Sequence, residues 1–191
     1  MAGVLNTMAA LPLLETPRAR IRVAEITDAS KLLRYRVENR EHLAPWEPLH
    51  ETAFYTLEHC IQSIGLSRQN AAQDRGYPLL VFDRHEHAIL GSCSFSNIVR
   101  GAFQACHLGY GVAARMQGQG LMREVLEAAF AWAFGELRLH RIMANYLPRN
   151  ERSGRLLASL GFEKEGYAKR YLQIAGVWED HVLTALIAPD G

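Results

Sequence analysis

The sequence predicts a mixed α/β or α+β sandwich built on one mostly antiparallel sheet. Three observations carry this: helical and strand periods are interspersed along the whole chain, several strand segments follow one another directly, and a glycine-bearing junction joins a strand to a long helix. Residues 20–26 alternate weakly and form the first strand. Asp28 can cap a helix running to about residue 41, with Leu32, Leu33 and Val37 on its buried face. Pro45 and Pro48 force a loop, and residues 53–69 read as a second helix. Residues 77–83 make a short apolar strand, and residues 87–97 and 102–112 are strands joined by a turn at Arg100 and Gly101. Residues 118–134 form a strong helix with Leu121, Val125, Ala128 and Trp132 at helical spacing. A strand at 141–147, a helix at 150–160 stopped by Gly161, and strands at 164–173 and 178–186 complete the chain.

A chain of 191 residues fits one domain, here 18–191, behind a loosely held leader at 1–17 that Pro12 and Pro17 interrupt. With 49% hydrophobic and 21% charged residues, global disorder is excluded. Lys plus Arg number 21 against 20 Asp plus Glu, so no bulk charge drives the chain toward nucleic acid or anionic lipid. No direct nucleic-acid readout and no membrane partner are expected. No uncharged stretch reaches the roughly 18 residues of a membrane span, and the N-terminus lacks the basic start and cleavage site of a signal peptide. The expected location is cytoplasmic. Cys60, Cys93 and Cys106 are an odd count without a C-x-x-C pair, so they read as small hydrophobes rather than disulfide or zinc ligands.

The most informative segment runs from Gly109 through Arg115, Gly118 and Gly120 to Met122. A strand ends near Val112, a short turn follows, and a helix opens at the glycines. Free N–H groups and the positive end of the macrodipole point outward there, and glycine lets a phosphate approach the backbone. Arg115 could add a charge-assisted contact, so the expected ligand is a pyrophosphate. The G-x-G-x-x-G fingerprint fails because position 123 is Arg, and no Gly-Lys dipeptide exists for a P-loop. A tight turn before a helix is the plainer alternative for these glycines.

Arg115-x-x-Gly118-x-Gly120 at such a junction resembles the acetyl-CoA pyrophosphate motif of the GNAT acyltransferase superfamily. Five stretches extend the likeness: Pro45-Trp46-Glu47-Pro48, and the segments 95–101, 117–122, 140–146 and 160–167. With these the chain resembles the bacterial ribosomal-protein alanine N-acetyltransferases of the RimJ type. The resemblance implies a seven-stranded, mostly antiparallel sheet flanked by about four helices, with the fourth and fifth strands splayed apart. Acetyl-CoA would be the co-substrate, with no metal. Its pantetheine would pair with the fourth strand at Tyr110 and Val112, whose N–H groups polarise the thioester carbonyl. The diphosphate would rest on Arg115, Gln117, Gly118, Gln119, Gly120 and Leu121.

Asn150 and Ser153 open the next helix, where an N-cap and a tolerated first-turn serine are the ordinary reading. In the related enzymes the matching Asn holds pantetheine and the matching Ser is a proposed proton donor to the departing thiolate. Many superfamily members instead use a Tyr slightly later on this helix, where this chain has Leu156 and Leu157. The base is Glu47, which borders the acceptor site in relatives, or His107, where some relatives carry a Glu; a solvated loop charge and a hydrogen-bonded strand residue are their plainer readings.

An α-amine titrates near about 7.7–8.0 and a lysine near about 10.4. That difference is worth roughly 3.4 kcal/mol, so an N-terminal acceptor needs only a weak base. The implied partner is a ribosomal protein N-terminus, free, on the ribosome, or on an assembly intermediate. A small-amine acetyltransferase for a polyamine or aminoglycoside, and a non-catalytic coenzyme A-binding assembly module, are the alternatives. Asp180 and His181 are adjacent on a strand, point to opposite faces and form no dyad. His85-Glu86-His87 is too compressed for a zinc helix and reads as a solvated turn.

Overall fold

The computed structural model describes residues 11–189. In chain order they form β1 (Leu13–Glu15), β2 (Ala19–Val23), α1 (Ala29–Glu38), α2 (Arg40–Leu43), α3 (Leu57–Ala72), β3 (Tyr77–Asp83), β4 (Ile89–Val99), β5 (Ala105–Val112), α4 (Leu121–Gly135), β6 (Arg141–Met143), α5 (Glu151–Ser159), β7 (Glu163–Ile174) and β8 (Val177–Ile187). All eight strands join one sheet in the order β1-β2-β3-β4-β5-β6-β8-β7. Every pairing is antiparallel except β5 with β6.

Alternation along the strands separates two apolar layers. Ile21, Leu79, Val81 and Phe95 pack with Val125, Leu126 and Ala129 of α4. On the other face Phe82 and Ile89 pack with Leu32 and Tyr35 of α1 and with Cys60 and Ile64 of α3.

Several expectations need correction. The sheet has eight strands, because Leu13–Glu15, expected in the leader, pairs with β2. Pro17 does not break this segment; it sits in the turn where Thr16 N donates to Ala19 O at 2.9 Å. Residues 1–10 of the expected leader lie outside the described residues. A fifth, one-turn helix, α2, follows a break at Asn39, whose side chain donates to Tyr35 O and accepts from Ala114 N.

Asp28 makes no side-chain cap; it is buried, accepts from Arg22 at 2.7 Å and Lys31 at 3.0 Å, and is held well below the usual carboxylate range. Burial opposes that shift, but the bonds from Arg22, Lys31 and the Glu25 N–H outweigh it. Val37 is exposed, and Tyr35 takes the buried place on α1. Glu86, read as part of a solvated turn, is instead bound by Arg22 at 2.6 Å.

The feature that shapes the site is a split in the sheet. β5 pairs with β6 only at Ala105, Cys106 and His107. Past Met143 the chain leaves β5 and follows β8: Ala144 N donates to Thr184 O at 3.0 Å and Tyr146 N to Val182 O at 3.1 Å. Thr184 Oγ1 donates to Ala144 O, and Thr184 N donates to Asn145 Oδ1, so one residue of β8 anchors the departing segment. Residues 108–112 of β5 therefore keep β4 on one side and an open edge on the other.

Candidate active site

A groove of about 1200 Å³ runs along that open edge, between the end of β5, the start of α4 and the start of α5. Its outer end is made by the glycines. Gly118 and Gly120 have φ of 70° and 74°, a conformation that side chains rarely adopt, and Gly120 stands at the N-cap of α4 without a side-chain cap on the helix's first amides. Gln117, Gly118, Gly120 and Leu121 line this end.

Arg115 and Gln119 stand beside this end, outside the residues that line it. Arg115 is exposed on a short 3-10 turn, and Gln119 Nε2 donates back to Arg115 O at 2.7 Å. The guanidiniums that line the groove here are Arg123, Arg152 and Arg155, which are scattered over two helices and share no spacing that marks them in the sequence. Arg152 donates to Gln117 Oε1 at 2.8 Å. Free amides at a helix start, flanked by three guanidiniums, suit a polyphosphate.

At mid-groove, Val112 O accepts from His42 Nε2 at 3.1 Å, and the Gln117 amide stands 3.2 Å from the same nitrogen. Asn150 caps α5 by accepting from Ser153 N at 3.2 Å, the ordinary reading of that residue. Ser153 itself lines the groove, and its Oγ lies 2.7 Å from the phenol of Tyr110, which reaches across from β5. Burial pushes the Tyr110 phenol up to about 12, against the opposing pull of the Ser153 hydrogen bond. Tyr146 lies against Gly154, where an added Cβ would come within 2.8 Å of the ring, so α5 and the 144–147 segment meet closely.

The inner end holds Trp46, Glu47 and Pro48. Glu47 O accepts from Ala175 N at 2.9 Å, which ties this loop to the turn between β7 and β8. Arg149 donates to Glu179 and to Pro45 O, and its guanidinium lies 5.7 Å from the Trp46 ring. The Glu47 carboxylate is 3.3 Å from His50 Nε2. His50 stacks on Phe54 with centroids 3.7 Å apart and planes within 4°, and Arg36 lies 3.8 Å from the same ring. Two flat groups that close occupy opposite faces of Phe54, so a guanidinium–phenyl–imidazole stack backs Glu47.

Glu47, Leu43 and Ser92 also line a smaller cavity, about 170 Å³, with Tyr35 and Phe54. Burial first, and the Glu47 charge second, push the Tyr35 phenol up.

His107 does not line the groove. Its ring is half-buried on β5 beside β6, its Nδ1 is buried without a hydrogen-bond partner among the described residues, and burial holds its pKa below the ordinary value. Cys93 and Cys106 are buried, and burial pushes both thiols up to about 12, the opposite of an activated nucleophile. Asp180 is outside the groove, where it accepts from Tyr167 and from Arg170 N, while the neighbouring His181 turns into the groove. Among the described residues no cluster of three or more His, Cys, Asp or Glu could hold a metal, and no helix is long and apolar enough to cross a membrane.

A sheet split on the open edge of β5, with glycine-exposed amides at one end and a capped helix start beside it, defines an acyl-CoA-type transferase site. The acetyltransferase (GNAT) domain family matches residues 18–163, and the chain belongs to that family of acetyltransferases, which use acetyl-CoA.

Among its relatives, the chain is 47% identical to the [ribosomal protein uS5]-alanine N-acetyltransferase of Escherichia coli K12, across 93% of this chain and 91% of that one. The crystal structure of ribosomal-protein-S5-alanine acetyltransferase from Vibrio fischeri superimposes with a TM-score of 0.89 at 42% identity, covering 94% of this chain and 98% of that one. RimJ of Mycobacterium smegmatis, in complex with CoA-disulfide, gives a TM-score of 0.85 at 30% identity over 93% of this chain and 87% of that one.

Proposed function

We propose that this chain transfers acetyl from acetyl-CoA to the N-terminal α-amine, alanine in the first instance, of a ribosomal protein in the cytoplasm. The relatives named for that reaction support the acceptor, and the open edge of β5 facing Ser153 carries the chemistry. Acetyl-CoA supplies the activated acyl carbon.

The chain's own groups do the rest. Gly118, Gly120 and Leu121 offer amides to the diphosphate, with Gln117, Gln119 and Arg115 around them and Arg123, Arg152 and Arg155 adding charge. Tyr110 and Val112 lie on the edge that pairs with pantetheine, and backbone N–H groups near Val112 polarise the carbonyl oxygen as negative charge gathers there. Asn150 holds the start of α5 and presents Ser153 to the sulfur.

The neutral amine attacks directly: the N–C bond forms, the C–S bond breaks, and the electron pair leaves on sulfur. Glu47 takes the proton that the ammonium form must lose before attack, directly or through water, and the proton shed by the acylated nitrogen leaves to water. Among the described residues that line the groove, Glu47 and Glu151 are the acids, and Glu151 is paired with Arg155 at 3.0 Å. His107 is the second candidate base. No acyl-enzyme forms, since both thiols nearest β5 are held protonated.

The small-amine alternative requires an acceptor wall rich in carboxylates, and four guanidiniums (Arg123, Arg149, Arg152, Arg155) line this groove against two acids. Incubation of the purified protein with acetyl-CoA and a peptide that begins with Ala and contains Lys tests the reading. Release of coenzyme A with one acetyl group on the α-amine is expected. Acetylation of lysine alone, or of a polyamine alone, contradicts it. If the parent protein binds coenzyme A but neither it nor the Ser153→Ala, Glu47→Gln, His107→Ala variant turns over, the protein is a binding module instead.

A further inference from the structure

We propose that Tyr110 is a positioning residue for the leaving group: its phenol donates to Ser153 Oγ and so frees the Ser153 proton to point into the groove at the departing sulfur. The inference rests on the acetyl-transfer reading and goes beyond it in assigning what replaces the helix phenol that Leu156 and Leu157 cannot supply.

The geometry is specific. Tyr110 is on β5 and Ser153 is in the first turn of α5, 43 positions apart and on different elements, yet their oxygens are 2.7 Å apart. That distance is the ordinary optimum for O–H···O. A hydroxyl rotor has one proton, and the contact can be made with either oxygen as donor. Neither oxygen has another hydrogen-bond partner among the described residues, so whichever hydroxyl accepts keeps its own proton for the groove. Acidity chooses between them. The phenol is the more acidic hydroxyl, and burial holds it protonated through the neutral range, so it keeps a proton to give. With Tyr110 as donor, Ser153 accepts from the phenol on one side and donates to sulfur on the other.

The balance is simple. No proton leaves Ser153 or Tyr110. The sulfur receives the electron pair of the broken C–S bond as a hydrogen-bonded thiolate, and the amine proton goes to Glu47 or water. Serine alone is a free rotor; serine pinned by a phenol is a directed donor, and two linked hydroxyls polarise each other. The start of α5 contributes its dipole in the same direction.

The test uses coenzyme A itself as the probe. The thiol of free coenzyme A, titrated in the same buffer, is the reference. Thiolate absorbance of coenzyme A bound to the full-length protein is expected to titrate about one unit lower, the size of a charge-assisted hydrogen bond. Ser153→Ala should return it to the free value, and Tyr110→Phe should undo at least half the shift with coenzyme A affinity within about twofold of the parent. Turnover should follow: about 10-fold lower kcat for Tyr110→Phe with KM for acetyl-CoA unchanged, and no further loss when it is added to Ser153→Ala. Fluorotyrosine at position 110, a stronger donor of the same shape, should lower the bound thiol further, a readout that survives if the Phe variant folds poorly.

The inference is overturned if Tyr110→Phe leaves the bound thiol unshifted, or if the two substitutions multiply in their effect on kcat. A Ser153→Ala variant whose bound thiol still titrates low removes Ser153 from the mechanism and the inference with it, while acetylation of the α-amine could still stand.

Discussion

The two walls of the groove are built on different principles. The cofactor wall is regular: β5, the glycine turn, α4 and the capped start of α5 offer mainly backbone groups whose directions the secondary structure fixes. The wall we assign to the acceptor is irregular, made of 3-10 turns and loops around residues 44–56 and held by side chains. Arg36, Phe54 and His50 stack behind Glu47, and Arg149 braces Trp46 and Pro45. Backbone amides can bind what all members of the family share, a diphosphate and a pantetheine arm. Side-chain stacking can be changed one residue at a time, so the acceptor can vary on a constant cofactor frame.

That contrast predicts separable losses. The largest is at Glu47: Glu47→Gln should lower kcat/KM about 100-fold below pH 7 without changing coenzyme A affinity. The deficit should shrink above about pH 8, where the α-amine has already lost its proton. A deficit that stays constant with pH would separate Glu47 from proton removal.

Gly120→Ala comes next and acts on the opposite wall. A side chain at φ 74° costs about 1–2 kcal/mol, so the free turn should relax away from it, and restoring it on binding should weaken coenzyme A about 10-fold by calorimetry, with KM for the peptide unaltered. Phe54→Leu removes the shared face of the stack; KM for the peptide should rise about 5-fold while KM for acetyl-CoA holds. If the peptide KM moved with Gly120, or the acetyl-CoA KM with Phe54, the two walls would not be independent.

The smallest effect concerns His107. Burial lowers its folded-state pKa, so below its unfolded value near about 6.5 the unfolded chain binds a proton that the folded one refuses. Its contribution to stability is therefore intact above that value and declines as pH falls toward the folded pKa. His107→Asn should flatten the drop in melting temperature between pH 7 and 5.5 and leave the pH profile of turnover unmoved. A displaced turnover profile would make His107 the base.

The regular wall was legible in the sequence and the irregular one was not, for physical reasons. Glycines at 118 and 120 mark a backbone that only glycine adopts freely, and Asn150 with Ser153 marks a helix start; both are local signals. Trp46 and Glu47 could be named from the motif around Pro45 and Pro48, but the stack joining Arg36, Phe54 and His50 depends on how α1 and a 3-10 turn pack, which no spacing encodes. The same holds for Tyr110 and Ser153, whose contact exists only because the sheet splits. Arg115 illustrates the converse: it has the right spacing from the glycines, yet it is exposed on a 3-10 turn and does not line the groove. β1 was hidden because Pro12 and Pro17 look like breakers, although Pro17 occupies a turn between two strands.

Hydrogen–deuterium exchange with and without coenzyme A tests the cofactor wall most directly. Binding along the open edge of β5 and over the glycine turn should slow exchange at residues 108–112 and 117–121 together, while 44–56 exchanges as before. Unchanged exchange at those two segments, at saturating coenzyme A, would contradict the account at its base.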